Sequence, residues 1–166
     1  VMGNHEQRLA DYITNNAPEL VSAAPSFSEF AGLNKLGIEL VEPYGEGYVW
    51  HGVLITHGDR VVQNTAKANL DYEGSSGVSG HTHRMGSFFK TDRSGAHAWF
   101  EGGCLCEVKA PKSPPPTTPG VRNWQQGFVV GYGAHELSDE CVEPAWNLYP
   151  VCVVNHKFIW EGVLYS

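Results

Sequence analysis

No apolar run in this 166-residue chain approaches the roughly 20 residues that span a bilayer, and the N-terminus has neither a basic stretch nor an apolar signal core. No membrane partner is expected, and the chain reads as cytoplasmic. Clusters of lysine and arginine are missing as well, and the net charge is -7, so the surface as a whole repels a nucleic-acid backbone. That excludes a long nucleic-acid footprint. It leaves room for a small phosphate substrate wherever bound divalent cations reverse the local potential. Cysteine is sparse: Cys104, Cys106, Cys141 and Cys152 do not make the disulfide framework of a small secreted domain, and a bridge from Cys104 to Cys106 would be badly placed on a strand. They read as reduced, partly buried thiols, with a Cys-x-Cys metal site as the alternative.

Hydrophobic residues make up 42% of the chain, and 19 glycines and 10 prolines punctuate it, which describes one loop-rich globular domain over residues 1–166. After "GNHE" at residues 3–6, Leu9, Tyr12 and Ile13 recur at helical spacing until Pro18 stops them. A second helix is expected across "SFSEFAGLNKLG". Ser26 and Glu29 form its capping box, Phe27, Phe30 and Leu33 share a face for core packing, and Gly37 ends it. "GIELVE" and "YVWHGVLITH" read as strands, the second a nearly unbroken buried run ending in Thr56 and His57. "VVQNTAKANLDY" carries a weaker helical pattern, and "SGVSGHTHR" is a short strand running into a turn. From there "GSFFKT", "AHAWFE", "QGFVVGY" and "YPVCVVNHKFIWEGVLY" are short strand-like runs divided by turns. "APKSPPPTTPG", residues 110–120, is a proline-rich connector that cannot join a central ladder. The class is α/β, with helices mainly in the first half and a β-rich second half. Trp50, Trp99, Trp124 and Trp160 are expected in core or turn packing rather than as base-stacking platforms.

Three histidine-bearing turns line up along the chain: Asn4 and His5 in "GNHE", His57 in "LITHGD", and His81 with His83 in "SGHTHR". Each lies in or next to a glycine turn, and two follow an apolar strand-like run. That arrangement aims side chains from several strand ends into one cleft. Neutral imidazole is the commonest metal ligand, and an asparagine oxygen is a harder donor that suits the same borderline divalent ions. Any one of these histidines alone has a structural explanation; the set weighs more. His51, His97, His135 and His156 lack the glycine-turn context and read as structural or surface residues.

In this order and at these intervals, "GNHE", "THGD" and "GHTHR" resemble the C-terminal motifs of the calcineurin-like metallophosphoesterase superfamily. The resemblance implies a portion of a two-sheet αββα sandwich. It also implies hydrolysis of phosphate esters, as a phosphatase or phosphodiesterase, by a hydroxide activated at a dinuclear metal centre of Mn, Fe, Zn or Ni ions. Carried over by position, Asn4, His57 and His81 would bind one ion and His83 the other. His5 would stabilise or protonate the leaving oxygen, and Glu6 would orient His5. Arg84 would contact the substrate phosphate bidentately, or serve as an ordinary surface arginine.

The family pattern also needs an Asp-x-His and a Gly-Asp-x-x-Asp motif ahead of "GNHE". None of Asp11, Asp59, Asp71, Asp92 and Asp139 has the required neighbours, and Asp59 in "GDRVV" has a valine three places on. The remaining carboxylates are therefore expected from an N-terminal segment, in cis or as a separate chain. The substrate expected is a small phosphomonoester or phosphodiester, a nucleotide among them. Two other readings compete: a degenerate, non-catalytic module of the same shape that only binds, and a β-rich structural protein with incidental histidines.

Overall fold

A computed structural model describes residues 1–108, 123–133 and 145–166. The proline-rich segment at 110–120, His135 and Cys141 lie outside the described residues. Helix α1, Asn4–Asn16, begins inside the "GNHE" motif. Gly3 is its N-cap, and the Glu6 carboxylate accepts the Gly3 amide at 3.0 Å, occupying a donor that a helix start otherwise leaves orphaned. Pro18 ends this region as expected, opening a 3-10 turn over Pro18–Leu20.

The second expected helix is divided. Its capping box forms, with Glu29 N donating to Ser26 Oγ at 3.2 Å and Ser26 N to Glu29 Oε2 at 2.9 Å. Yet α2 spans only Phe27–Phe30, Gly32 turns left-handed at φ 70°, and a 3-10 turn, Leu33–Leu36, follows before Gly37. The break takes Phe27, Phe30 and Leu33 out of line, and Phe30 is 69% exposed rather than in the core. "GIELVE" forms no strand; Met2 N donates to Val41 O at 3.0 Å and ties it to the N-terminal turn.

"YVWHGVLITH" is a hairpin, not one strand. β1, Tyr48–Trp50, pairs antiparallel with β2, Val53–Ile55, across His51 at φ 47° and Gly52 at φ 77°. Two central residues at positive φ match the strands' own twist, and Gly52 reaches that conformation at little cost. α3, Thr65–Glu73, then crosses over to β3, Gly77–Ser79, which pairs parallel with β2. β4, Met85–Asp92, and β5, Gly95–Gly102, form an antiparallel pair, with β5 parallel to β3. The mixed sheet therefore runs β1-β2-β3-β5-β4. β6, Gly127–Gly133, and β7, Trp146–Cys152, make a second, two-stranded sheet, and β8, Phe158–Trp160, pairs with β9, Val163–Tyr165. Among the described residues the fold is mixed α/β, with the helices in the first half and strands making up the second.

The two faces of the large sheet are covered differently. On one, Trp99 packs with Ala66 and Leu70 of α3, flanked by Leu54 and Phe88. On the other, Val53, Ile55 and Val78 look across a cleft of about 270 Å³ toward Val129 and Gly131 of β6 and Leu148 of β7. The alternation along β2 and β3 follows from the two-residue period of a strand. Among the described residues, no helix is long and apolar enough to cross a membrane.

Candidate functional site

β2, β3 and β5 are parallel, so their C-terminal ends share one edge of the sheet, the place where α/β folds open to a ligand. His57 follows β2, and His81 and His83 occupy the turn after β3. Pairing continues past the strands: Thr56 N donates to Val78 O at 3.0 Å and Gly80 N to His57 O at 3.1 Å. That ladder fixes the backbone of His57 against the residue before His81. Their side chains meet, with His57 Nε2 3.0 Å from His81 Nδ1 and the rings 72° apart. With a proton on one of these two nitrogens, that ring donates to the other. The same two nitrogens, each turning a lone pair outward, can instead face one cation.

The turn that carries these rings is backbone-strained. His81 has φ 23° and His83 φ 58°, a region that L-residues enter at a cost and that clusters at functional sites. Burial, and after it the neighbouring His81, holds the His57 imidazole below its ordinary value. Glu6 acts in the opposite direction, and His5 and His83 add to the lowering. His57 is therefore neutral at pH 7, the form that ligates metal.

The "GNHE" turn abuts this pair. A Cβ added to Gly3 would stand 2.9 Å from His57 Nδ1 and 2.7 Å from Glu6 Oε2, so the glycine leaves the space that the imidazole and the carboxylate occupy. Asn4 is partly buried at the head of α1, and His5 beside it is exposed. Glu6, expected to orient His5, gives Oε2 to the Gly3 amide.

His83 faces other neighbours. Its ring stands edge-on to Trp124 with centroids 4.3 Å apart, and its carbonyl accepts Gln125 N at 2.9 Å. Its imidazole also lies beside the thiols of Cys104 and Cys106. Burial pushes the Cys104 thiol up to about 11, and a hydrogen bond with Cys106 acts in the same direction.

Arg84 turns toward the start of α3. Its Nη2 donates to Val62 O at 2.6 Å and to Thr65 Oγ1, and lies 4.0 Å from Glu101 Oε1. Glu101 is buried and also accepts the Thr82 hydroxyl. Nη2 is thus committed within the protein, on the side of the histidine turn that leads into β4.

Gly3, Tyr44 and Trp124 were not singled out as site residues by the sequence. The Tyr44 ring stands edge-on to His57 at 5.8 Å, and nothing in its local sequence marks it. Gly3 did carry a signal, as the glycine of the motif itself.

Two curated relatives, each called "Gene 54 protein", come from mycobacteriophages. The chain is 32% identical to that of phage D29 over 139 residues, covering 76% of this chain and 52% of the relative. It is 31% identical to that of phage L5 over 142 residues, covering 77% of this chain and 53% of the relative. The chain thus spans about half the length of the curated relatives it matches. No protein-family model and no solved structure matches it.

Proposed function

We propose that this chain supplies the histidine-bearing part of a metal-dependent phosphoesterase centre of the calcineurin-like type, in a two-sheet αββα sandwich. The observation that carries this reading is the meeting of His57 Nε2 and His81 Nδ1 at 3.0 Å on adjacent parallel strand ends, with the head of α1 packed against His57. The donor set suits a borderline divalent ion: two imidazoles, one of them neutral by burial, and an asparagine oxygen from Asn4. The apolar cleft between the large sheet and the β6–β7 pair supports the sandwich.

In this reading His57 and His81 present lone pairs from two strand ends, Asn4 completes the set from the head of α1, and His83 serves a second ion. A bound divalent ion supplies Lewis acidity toward a phosphoryl oxygen. His5, exposed next to Asn4, delivers a proton to the leaving oxygen. Glu6 holds the helix head in place through the Gly3 amide. Carboxylates for a second ion come from outside these 166 residues, because no aspartate of the chain stands in the required motifs. The substrate class is a small phosphomonoester or phosphodiester.

The test is Mn2+ binding together with hydrolysis of an aryl phosphodiester, by the chain alone and by the full-length product of its gene. The chain is expected to bind Mn2+, the His57→Ala/His81→Ala variant to lose it, and the full-length product to turn over substrate. Absence of Mn2+ binding and of hydrolysis from both forms would overturn the proposal and leave a non-catalytic module.

Gly3→Ala gives an independent check. The Gly3 backbone at φ -99° accommodates alanine, and the cap change itself costs about 1 kcal/mol. The new Cβ, however, displaces the His57 ring or the Glu6 carboxylate. Mn2+ affinity measured by calorimetry is expected to fall about 10- to 100-fold, as when partners that position a ligand are lost. Affinity equal to that of the parent would remove Gly3 from the site.

A further inference from the structure

Three soft or borderline donors converge where β5 ends. One ring nitrogen of His83 and the Sγ atoms of Cys104 and Cys106 all lie within 4.8 Å of one another. In a tetrahedral zinc site with Zn–S near 2.3 Å, ligand atoms stand about 3.5–3.8 Å apart. A contraction of about 1 Å therefore brings the three to ligation distance. Cys106 is exposed and can make that movement by a change of rotamer.

The backbone around these donors is stitched from one segment. Gln125 N donates to His83 O at 2.9 Å, while Gln125 O accepts Cys104 N at 3.0 Å. Gly127 N donates to Cys104 O at 3.0 Å, and Gln126 Nε2 donates to Cys106 O at 2.9 Å. Residues 125–127 thus clamp both ligand-bearing stretches at once. The one-residue spacing, with Cys106 in a bend, leaves both thiols close to the imidazole. Two sulfurs and one imidazole select zinc over manganese, magnesium or calcium, and three protein ligands leave a fourth position for water.

We infer that His83, Cys104 and Cys106 form a zinc site that pins the end of β5 to the histidine turn, separate from the His57–His81 pair. It shares with the phosphoesterase reading only His83, and it does not depend on catalysis.

The experiment is titration of the reduced, purified chain with Co2+, followed by displacement with Zn2+. One Co2+ per chain is expected to give the thiolate-to-cobalt charge-transfer band in the near ultraviolet, and Zn2+ to abolish it. Cys106→Ser, at an exposed position that leaves the fold intact, should halve the band, and Cys104→Ser/Cys106→Ser should remove it. His57→Ala/His81→Ala should retain it. A parent chain without the band, or a band that survives the double cysteine variant, overturns the inference; loss of the band in the double histidine variant overturns its separateness. Mn2+ binding by the double cysteine variant distinguishes failure here from failure of the phosphoesterase reading.

Discussion

Replacing Trp99 with alanine is expected to destabilise the chain by about 3–5 kcal/mol, the cost of truncating a large buried aromatic. Trp99 is 0% exposed and is the largest fully buried side chain among the described residues. It joins the sheet to α3 through Ala66 and Leu70, and it lies over Gly77, where an added Cβ would stand 2.7 Å from its Cη2. Its Nε1 donates to Ser79 Oγ at 3.0 Å, and Asn69 Nδ2 of α3 donates to the same oxygen at 3.1 Å. Truncation therefore opens a cavity between sheet and helix and removes one of two donors from a buried hydroxyl. Against a total stability of about 5–15 kcal/mol, such a loss leaves a marginal fold. In a chain of this size it corresponds to a fall in Tm of about 6–20 °C. Ser79 is two residues before His81, so metal affinity should decline with stability. Urea melts at constant m-value measure the effect; a loss below about 1 kcal/mol would mean that the sheet and α3 are not one cooperative core.

Arg84→Ala is expected to lower stability by about 3 kcal/mol, the low end for breaking a buried ion pair because the guanidinium is partly exposed. The change leaves the buried Glu101 carboxylate with the Thr82 hydroxyl but without its cation. It also releases the Val62 carbonyl and the Thr65 hydroxyl at the start of α3. A residue whose only task is to grip a substrate phosphate would instead raise KM and leave the melt unchanged. Thermal unfolding together with KM on an aryl phosphodiester separates the two. A Tm unchanged from the parent would show that the contacts to α3 add nothing.

Much of the architecture was legible because local rules and tertiary packing agree. Pro18, the Ser26–Glu29 box and Gly37 mark the same boundaries in sequence and structure, since each acts within one turn of chain. β4, β5, β6 and β7 lie where "GSFFKT", "AHAWFE", "QGFVVGY" and "YPVCVV" read as short strand-like runs divided by turns. The reading failed where a local pattern served two structures. "YVWHGVLITH" is apolar enough for one long strand, and only Gly52 hints at the turn that makes it two. Phe27, Phe30 and Leu33 are spaced as a helical face, but Gly32 ends that helix before the face is complete. "GIELVE" has strand-like residues and no partner strand among the described residues.

The sequence by itself determined which residues are candidates for the proposed chemistry: histidines, an asparagine and a carboxylate set in glycine turns, with no aspartate in the motifs that the resemblance calls for. It determined the acidic surface and the α/β class as well, because composition and periodicity are local properties. Only the tertiary structure decided which of these groups meet. The parallel pairing of β2, β3 and β5 brings His57 to His81 across 24 residues, and residues 125–127 hold His83 beside Cys104 and Cys106. The same structure ties Arg84 to α3. Those outcomes depend on strand order and register, which arise from the burial of Trp99 and its neighbours between layers, and no short stretch of sequence encodes them.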